Sequence, residues 1–342
     1  MEKINFLSHR PKFFYSPNNK VANTVFNYIR NSFCVNPNRD CYHKEGTYIN
    51  LASYKEKKAQ QDIQVYIKLD NYKIKNEEIN LEDKEISKFD REVHDAIITL
   101  FKNNLQCMSP KMIVRTMFAN HKMSIHSNIL EAVTNSINKM RNTLIELDIS
   151  EEAEARNFEN LEIEEPVITA KWVATKINGQ NTNALLLSCE PPLLRYAECS
   201  NQILKIDLNF MQLPLNLENT VENLMLRNYL LRQILIISNK KNSRNNSMLF
   251  QTILNFLGIT LDKCKSKERF IKKKSILKSK IEKLLEFWKK EDLFENFTLE
   301  KNGYQLRSII ISPKKIFKAK NNKKFASTSD TSTDTKETQE SI

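Results

Sequence analysis

Two Asn-Gly dipeptides, Asn178-Gly179 and Asn302-Gly303, constrain the fold of this chain more than any other feature. A tight hairpin turn needs positive φ at both central positions, which Asn and Gly tolerate, so Asn-Gly between two strand-like runs marks a β-hairpin. Ile168 to Lys176 and Ala184 to Cys189 flank the first; Phe297 to Lys301 and Tyr304 to Ile311 flank the second. The chain has only four glycines, so half of them stand in these two turns.

Three helical periods precede each hairpin. Lys84 to Lys102 places Ile86, Phe89, Val93, Ala96, Ile97 and Leu100 at helical spacing and stops at Asn103-Asn104. Ser109-Pro110 supplies a cap and a first-turn proline for a second helix running to about Ala119. Ser127 is expected to cap a third helix with Ile129, Val133, Ile137, Met140 and Leu144 on one stripe, followed by the apolar run Leu144 to Ile149. In the second half, Glu218 to Ser238 is apolar at helical spacing, and Met248 to Leu257 is a short helix stopped by Gly258. The third helix is Lys265 to Lys290, with Phe270, Leu277, Ile281, Leu284 and Trp288 on one side.

Helix, helix, helix, hairpin therefore occurs twice. The expected fold is mainly α with small β-hairpins, an α+β chain of two tandem winged-helix domains, the third helix of each entering a major groove and each hairpin reaching phosphates or a minor groove. The expected division is 1–82 without an assigned role, 83–190 and 191–313 as the two units, and 314–342 as a flexible tail, first basic and then Ser/Thr-rich. Glu190-Pro191-Pro192 punctuates the boundary, and a connecting segment follows to about Asn216. Ahead of the units, Val21 to Phe33 is helix-like and Ile63 to Leu69 alternates as a strand.

The distribution of charge gives the repeat its chemistry. Lys265 to Lys290 holds eleven Lys or Arg against three Glu, a net +8 of the chain's +12. At 100° per residue from Leu277, the side chains of Lys272, Ser275, Ser279 and Lys283 point away from the apolar side, while Lys273 and Lys280 flank it. Such a face suits a polyanion, although many basic helices are merely solvated. In the first unit the outward face is Asn128, Glu131, Asn135, Asn138, Lys139 and Asn142, and Asn amides match adenine edges, with a solvated face as the competing reading. The candidate DNA contacts are Arg269, Lys272, Lys273, Lys274, Ser275, Lys278, Ser279 and Lys283 on the basic helix, with Asn302 and Arg307 in its hairpin. The first unit adds Asn128, Asn135, Asn138, Lys139 and Asn178.

Other classes are disfavoured. Four glycines leave no Gly-rich loop to cradle a nucleotide phosphate, and no cofactor is expected. Cys34, Cys41 and His43 match no zinc spacing, and the acidic run from Glu151 to Glu165 lacks a His or Lys partner and is expected to be a solvated loop, so no metal site is expected. A Tyr-nucleophile nicking enzyme would need a metal-binding His pair; the five His include no His-x-His, and no enzyme activity is expected. No run of about 18 apolar residues exists, so a cytoplasmic chain without membrane insertion is expected, with six dispersed, reduced Cys. Adsorption of the basic helix to an anionic membrane surface is the remaining alternative.

With the repeat in hand, the chain resembles plasmid replication initiators of the iteron-binding, double winged-helix kind, in the form found in low-GC Gram-positive hosts. The resemblance lies in Phe89-Asp-Arg-Glu-Val-His-Asp-Ala-Ile-Ile98, Ser109-Pro-Lys-Met-Ile113, Ile137-Asn-Lys-Met140 and Leu144-Ile-Glu-Leu-Asp148, and in Tyr229-Leu-Leu-Arg-Gln-Ile234 and Ile281-Glu-Lys-Leu-Leu-Glu-Phe-Trp288. It covers about residues 85 to 312, consists mostly of core patterning, and would fit equally a transcriptional regulator or autorepressor of the same fold. It implies double-stranded DNA with direct repeats at an origin as the partner, opening of an adjacent AT-rich segment, host replication proteins as further partners, and a switch between homodimer and monomer. Lys272, Ser275 and Lys283 take their role only as third-helix positions; no motif fixes a base-reading residue.

Overall fold

The computed structural model describes residues 11–18, 22, 25–26, 47–55, 62–69, 86–148, 162–177, 180–199, 202–239, 246–303 and 305–314. Three strands come first: β1 (Phe13–Pro17), β2 (Thr47–Lys55) and β3 (Asp62–Leu69). The alternation at Ile63 to Leu69 is thus a strand as expected. Of the helix-like run Val21 to Phe33, Ala22, Val25 and Phe26 are helical and buried, and the rest lies outside the described residues, as do Cys34, Cys41 and His43.

Helix α1 (Lys88–Lys102) begins where Ser87 and Asp90 cap one another's backbone N–H, a capping box that satisfies two otherwise orphaned donors. It ends with Asn104 at φ 62°, a left-handed position that Asn tolerates. Strand β4 (Cys107–Met108) leads to α2 (Pro110–Met117), whose cap is Ser109, with Oγ accepting from the Met112 N–H at 3.3 Å. Helix α3 (Ser127–Arg141) takes His126 as its N-cap, without a side-chain cap bond; Ser127 is its first residue and not its cap. Leu144 leaves the helical stripe for β5 (Thr143–Asp148), which pairs with β6 (Glu162–Pro166). The end of the acidic run is therefore a strand and not a loop, and Glu165 pairs with Arg195 at 3.2 Å. Residues 149–161 lie outside the described residues.

Strands β7 (Ala170–Ile177) and β8 (Gln180–Leu187) form the first expected hairpin, and β8 also pairs with β4. The segment expected as a plain connection is structured: α4 (Pro192–Cys199), β9 (Ile203–Asp207) paired antiparallel with β1, and a 3-10 turn at Leu208–Met211. Then come α5 (Val221–Asn239), β10 (Ser247–Leu249), α6 (Phe250–Phe256), α7 (Lys267–Lys290), β11 (Asn296–Asn302) and β12 (Gln305–Ser312). Gly258 has φ 67°, the left-handed geometry expected after α6. In the second hairpin Asn302 pairs with Gln305, so Asn302 ends the strand and Gly303, at φ 59°, opens the turn, one residue later than the dipeptide predicts.

One topology therefore appears twice in an α+β chain. In α1-β4-α2-α3-β7-β8 and in α5-β10-α6-α7-β11-β12, the short strand between the first two helices joins the hairpin, giving the sheets β4-β8-β7 and β10-β12-β11. The first copy is interrupted by β5 and β6, which complete the antiparallel sheet β2-β3-β5-β6 with the N-terminal strands. The spine of the molecule is α1 against α5. Helix α1 is buried at every residue from Asp90 to Leu100, and in α5 Leu224, Leu226, Leu230, Leu231, Ile234 and Ile237 fill the core on more than one side. Among the described residues no helix is long and apolar enough to cross a membrane.

Candidate nucleic-acid interface

Helix α7 has 24 residues, hence a length of ~36 Å at ~1.5 Å per residue. Ser266 caps it, Oγ accepting from the Arg269 N–H at 3.2 Å. Its buried residues are Leu277, Ile281, Leu284, Leu285 and Trp288, all in the C-terminal part. The Trp288 indole N–H donates to the Phe210 carbonyl at 2.8 Å, anchoring that end against the 3-10 turn. No residue before Leu277 is buried, so 267–276, ~15 Å of helix, projects beyond the core that holds the rest.

The projecting part carries Lys267, Arg269, Lys272, Lys273 and Lys274 against Glu268 alone. Among the described residues the side chains of Lys267, Arg269, Lys272 and Lys273 make no ion pair or hydrogen bond. Lys274 reaches Gln305 Oε1 at 3.4 Å, which sets this part of the helix beside the hairpin, and lies 5.5 Å from the Phe270 ring centroid. Further along, the cations are engaged. Lys278 pairs with Glu282 at 3.6 Å, Lys280 with Glu222 at 2.7 Å, and Lys283 donates to the Asn216 carbonyl at 3.3 Å. Ser275 is exposed between these two groups, and Ser279 is exposed within the second. In the hairpin a register shift after Glu300 leaves Arg307 between the pairs Glu300–Ser308 and Lys301–Leu306, and Lys301, Asn302, Gln305 and Arg307 are all exposed.

The corresponding helix α3 differs. Asn128 and Asn135 are exposed, but Asn138 Oδ1 accepts from the Trp172 indole N–H at 2.8 Å and Lys139 pairs with Asp90 at 2.9 Å. Arg141 donates to the Ala170 carbonyl at 2.7 Å. The cations of α3 thus fasten it to α1 and β7; its exposed residues are Ser127, Asn128, Glu131 and Asn135, with Asn142 exposed just past its end. Asn178 lies outside the described residues.

Sequence reasoning missed the polar cluster that joins the two copies. Arg232 of α5 binds Glu92 of α1 through two bonds, at 2.8 and 2.9 Å, and Asp95 at 2.8 Å. Asn228 donates to Glu92, and the Ser16 hydroxyl of β1 donates to Asp95 at 2.6 Å. Arg227 donates to the carbonyls of Met211 and Met117, and Arg91 to that of Pro17 at 2.9 Å. Burial works against the charge on Arg227 and brings it down to about 9, and burial with the nearby Arg232 brings Arg91 down to about 10. For Asp95 burial opposes ionisation, but the hydrogen bond from His94 and the charges of Arg232 and Arg91 outweigh it and hold the carboxyl below its ordinary range. Arg232 is likewise desolvated, yet Glu92 and Asp95 raise it. A buried charge cluster this well paired fixes the partners' orientation, because any other packing leaves charges uncompensated. The clue in the sequence was two Arg within an apolar helix; the carboxylate partners of Arg232 lie 137 and 140 residues earlier.

No protein-family model and no curated protein matches the chain. Two of the solved structures it is similar to are a selenomethionine form of domains 2 and 3 of RctB, at 9% identity, and RctB domains 2-3 spanning residues 155–483, at 10%. Each covers 78% of this chain and 91% of that chain, with a TM-score of 0.36, a likeness too distant to carry an argument.

Proposed function

We propose that this chain is a non-enzymatic, sequence-specific double-stranded DNA-binding protein built from two tandem winged-helix domains, and that it acts as a replication initiator on repeated sites at an origin. The observation that carries the reading is the projecting, unpaired cationic segment of α7 beside an exposed hairpin, at the place in the repeat where a recognition helix precedes its wing. A protein segment that enters a groove must stand clear of its own core, and it must bring cations that are not already neutralised. Residues 267–276 meet both conditions. The initiator role rests on the resemblance at Phe89–Ile98, Tyr229–Ile234 and Ile281–Trp288; a cytoplasmic location follows from it.

In this mechanism Lys267, Arg269, Lys272 and Lys273 neutralise phosphates and displace counterions, which supplies affinity without sequence information. Ser275, Ser279 and the exposed residues near them face the base edges, and Arg307 and Asn302 follow the backbone alongside. Helix α3 places its neutral Asn128 and Asn135 on the next major groove. A mobility-shift titration tests this, comparing duplex from the DNA flanking the coding region with random duplex of equal length over a range of salt. Steep salt dependence is expected, with a slope of log K reduced by about 1–2 in Lys272→Ala/Lys273→Ala. Equal affinity for both duplexes would sink the specific reading. Preference for a palindromic operator without an effect on replicon copy number would assign the chain to transcriptional regulation instead.

A further inference from the structure

Among the described residues six large apolar side chains are well exposed, and two of them stand on α7: Ile271 at 57% and Ile276 at 47%. Neither can reach the core, because burial begins at Leu277. An exposed position on a helix is ordinarily filled by Lys, Glu, Gln or Ala; a β-branched apolar residue there is a poor helix former that also gains nothing from burial. Two such residues inside a strongly cationic segment call for a partner.

Their placement identifies that partner. At 100° per residue Ile271 stands ~120° to one side of Leu277 and Ile276 ~100° to the other, so they bracket the outward face that holds Lys272, Ser275 and Ser279. Separated by ~140° around the helix, they form no continuous apolar patch of the kind a protein partner or a second copy buries. Each is an isolated apolar group surrounded by cations and hydroxyls. A duplex major groove has that character: phosphates along both walls, polar base edges on the floor, and one apolar group, the C5-methyl of thymine. The two side chains are ~7.5 Å apart along the helix axis, about two base-pair steps, and lie on opposite flanks of the inserted face.

We propose that Ile271 and Ile276 are specificity-determining residues that contact thymine methyl groups in the major groove, so that α7 selects A·T pairs by apolar contact while its lysines hold the phosphates. The inference rests on α7 being the groove-inserted helix. It explains how a helix with no Asn, Gln or His on its outward face still distinguishes bases.

The test uses the full chain and the duplex it enriches from a randomised pool. Thymidine is replaced by deoxyuridine one position at a time, which removes the methyl group and leaves every hydrogen bond. Wild-type binding is expected to weaken about fourfold at one or two positions, the worth of one buried methyl. At those positions Ile271→Ala or Ile276→Ala should bind thymidine and deoxyuridine duplexes equally, with an unchanged salt slope. Both positions are exposed and Ala is the better helix former, so both variants fold, and circular dichroism verifies it. An enriched duplex on which deoxyuridine is neutral at every position overturns this inference alone. Failure to enrich any sequence overturns it together with the reading of α7 as a recognition helix.

Discussion

Arg232 is the residue on which the arrangement of the two repeats depends most. It neutralises Glu92 and Asp95 together, and truncating it would leave two buried carboxylates without their hydrogen-bonded cation, Asp95 keeping Arg91 at 3.9 Å. Arg232→Ala is expected to lose about 3–5 kcal/mol of stability, read from denaturant unfolding, far more than Lys272→Ala, whose exposed side chain makes no ion pair or hydrogen bond among the described residues. Asp95 sets the acid limit. Its folded-state value lies below the unfolded one of about 3.9, so its contribution is complete above that pH and is lost as pH falls through the folded value. Unfolding free energy should therefore drop as the pH is taken below about 4, and Asp95→Asn, less stable at neutral pH, should show a shallower acid decline. Two Arg in an apolar helix hint at burial, but their partners were not legible locally, since nothing in the sequence links Arg232 to a carboxylate 140 residues away.

At the scale of single elements, the sequence was most informative where period and cap coincide. Helices α1, α2 and α7 appear within a few residues of their expected bounds, and in each a serine hydroxyl, of Ser87, Ser109 or Ser266, accepts a first-turn backbone N–H ahead of a regular apolar stripe. Strands β4 and β10, two and three residues long, are too short to alternate, and β9 is defined by pairing with β1 nearly 200 residues away; such elements exist through tertiary contact and leave no local signal. The charge on α7 was plain from composition, but its division into a projecting front and an anchored rear was not. That division has a dynamic consequence: backbone amides of 270–276 should exchange with solvent faster than those of 281–288 in the free protein, since buried contacts begin at Leu277. Bound duplex should slow the front selectively, which hydrogen-exchange mass spectrometry resolves by peptide.

For the whole molecule, the duplicated topology and the buried cluster between α1 and α5 act together. Two groove-reading units on a flexible tether would accept many spacings between their half-sites. Units joined through Glu92, Asp95, Asn228 and Arg232 hold α3 and α7 at one separation, and under the proposed function they are expected to accept one spacing. The repeat was visible in the sequence through its two Asn-Gly turns; the fixed geometry between its copies was not, because it resides in contacts that cross both units and β1. The unequal charge of α3 and α7 further predicts unlike half-sites, one read mainly through neutral amides and one held mainly by phosphates.

The most direct measurement of the central claim is selection of bound duplexes from a randomised pool by the full chain at physiological salt, followed by sequencing. The account predicts an enriched site of about 20 base pairs with two different half-motifs, centred about one helical turn apart at a single spacing. Enrichment of no sequence, or of half-motifs at many unrelated spacings, would contradict it.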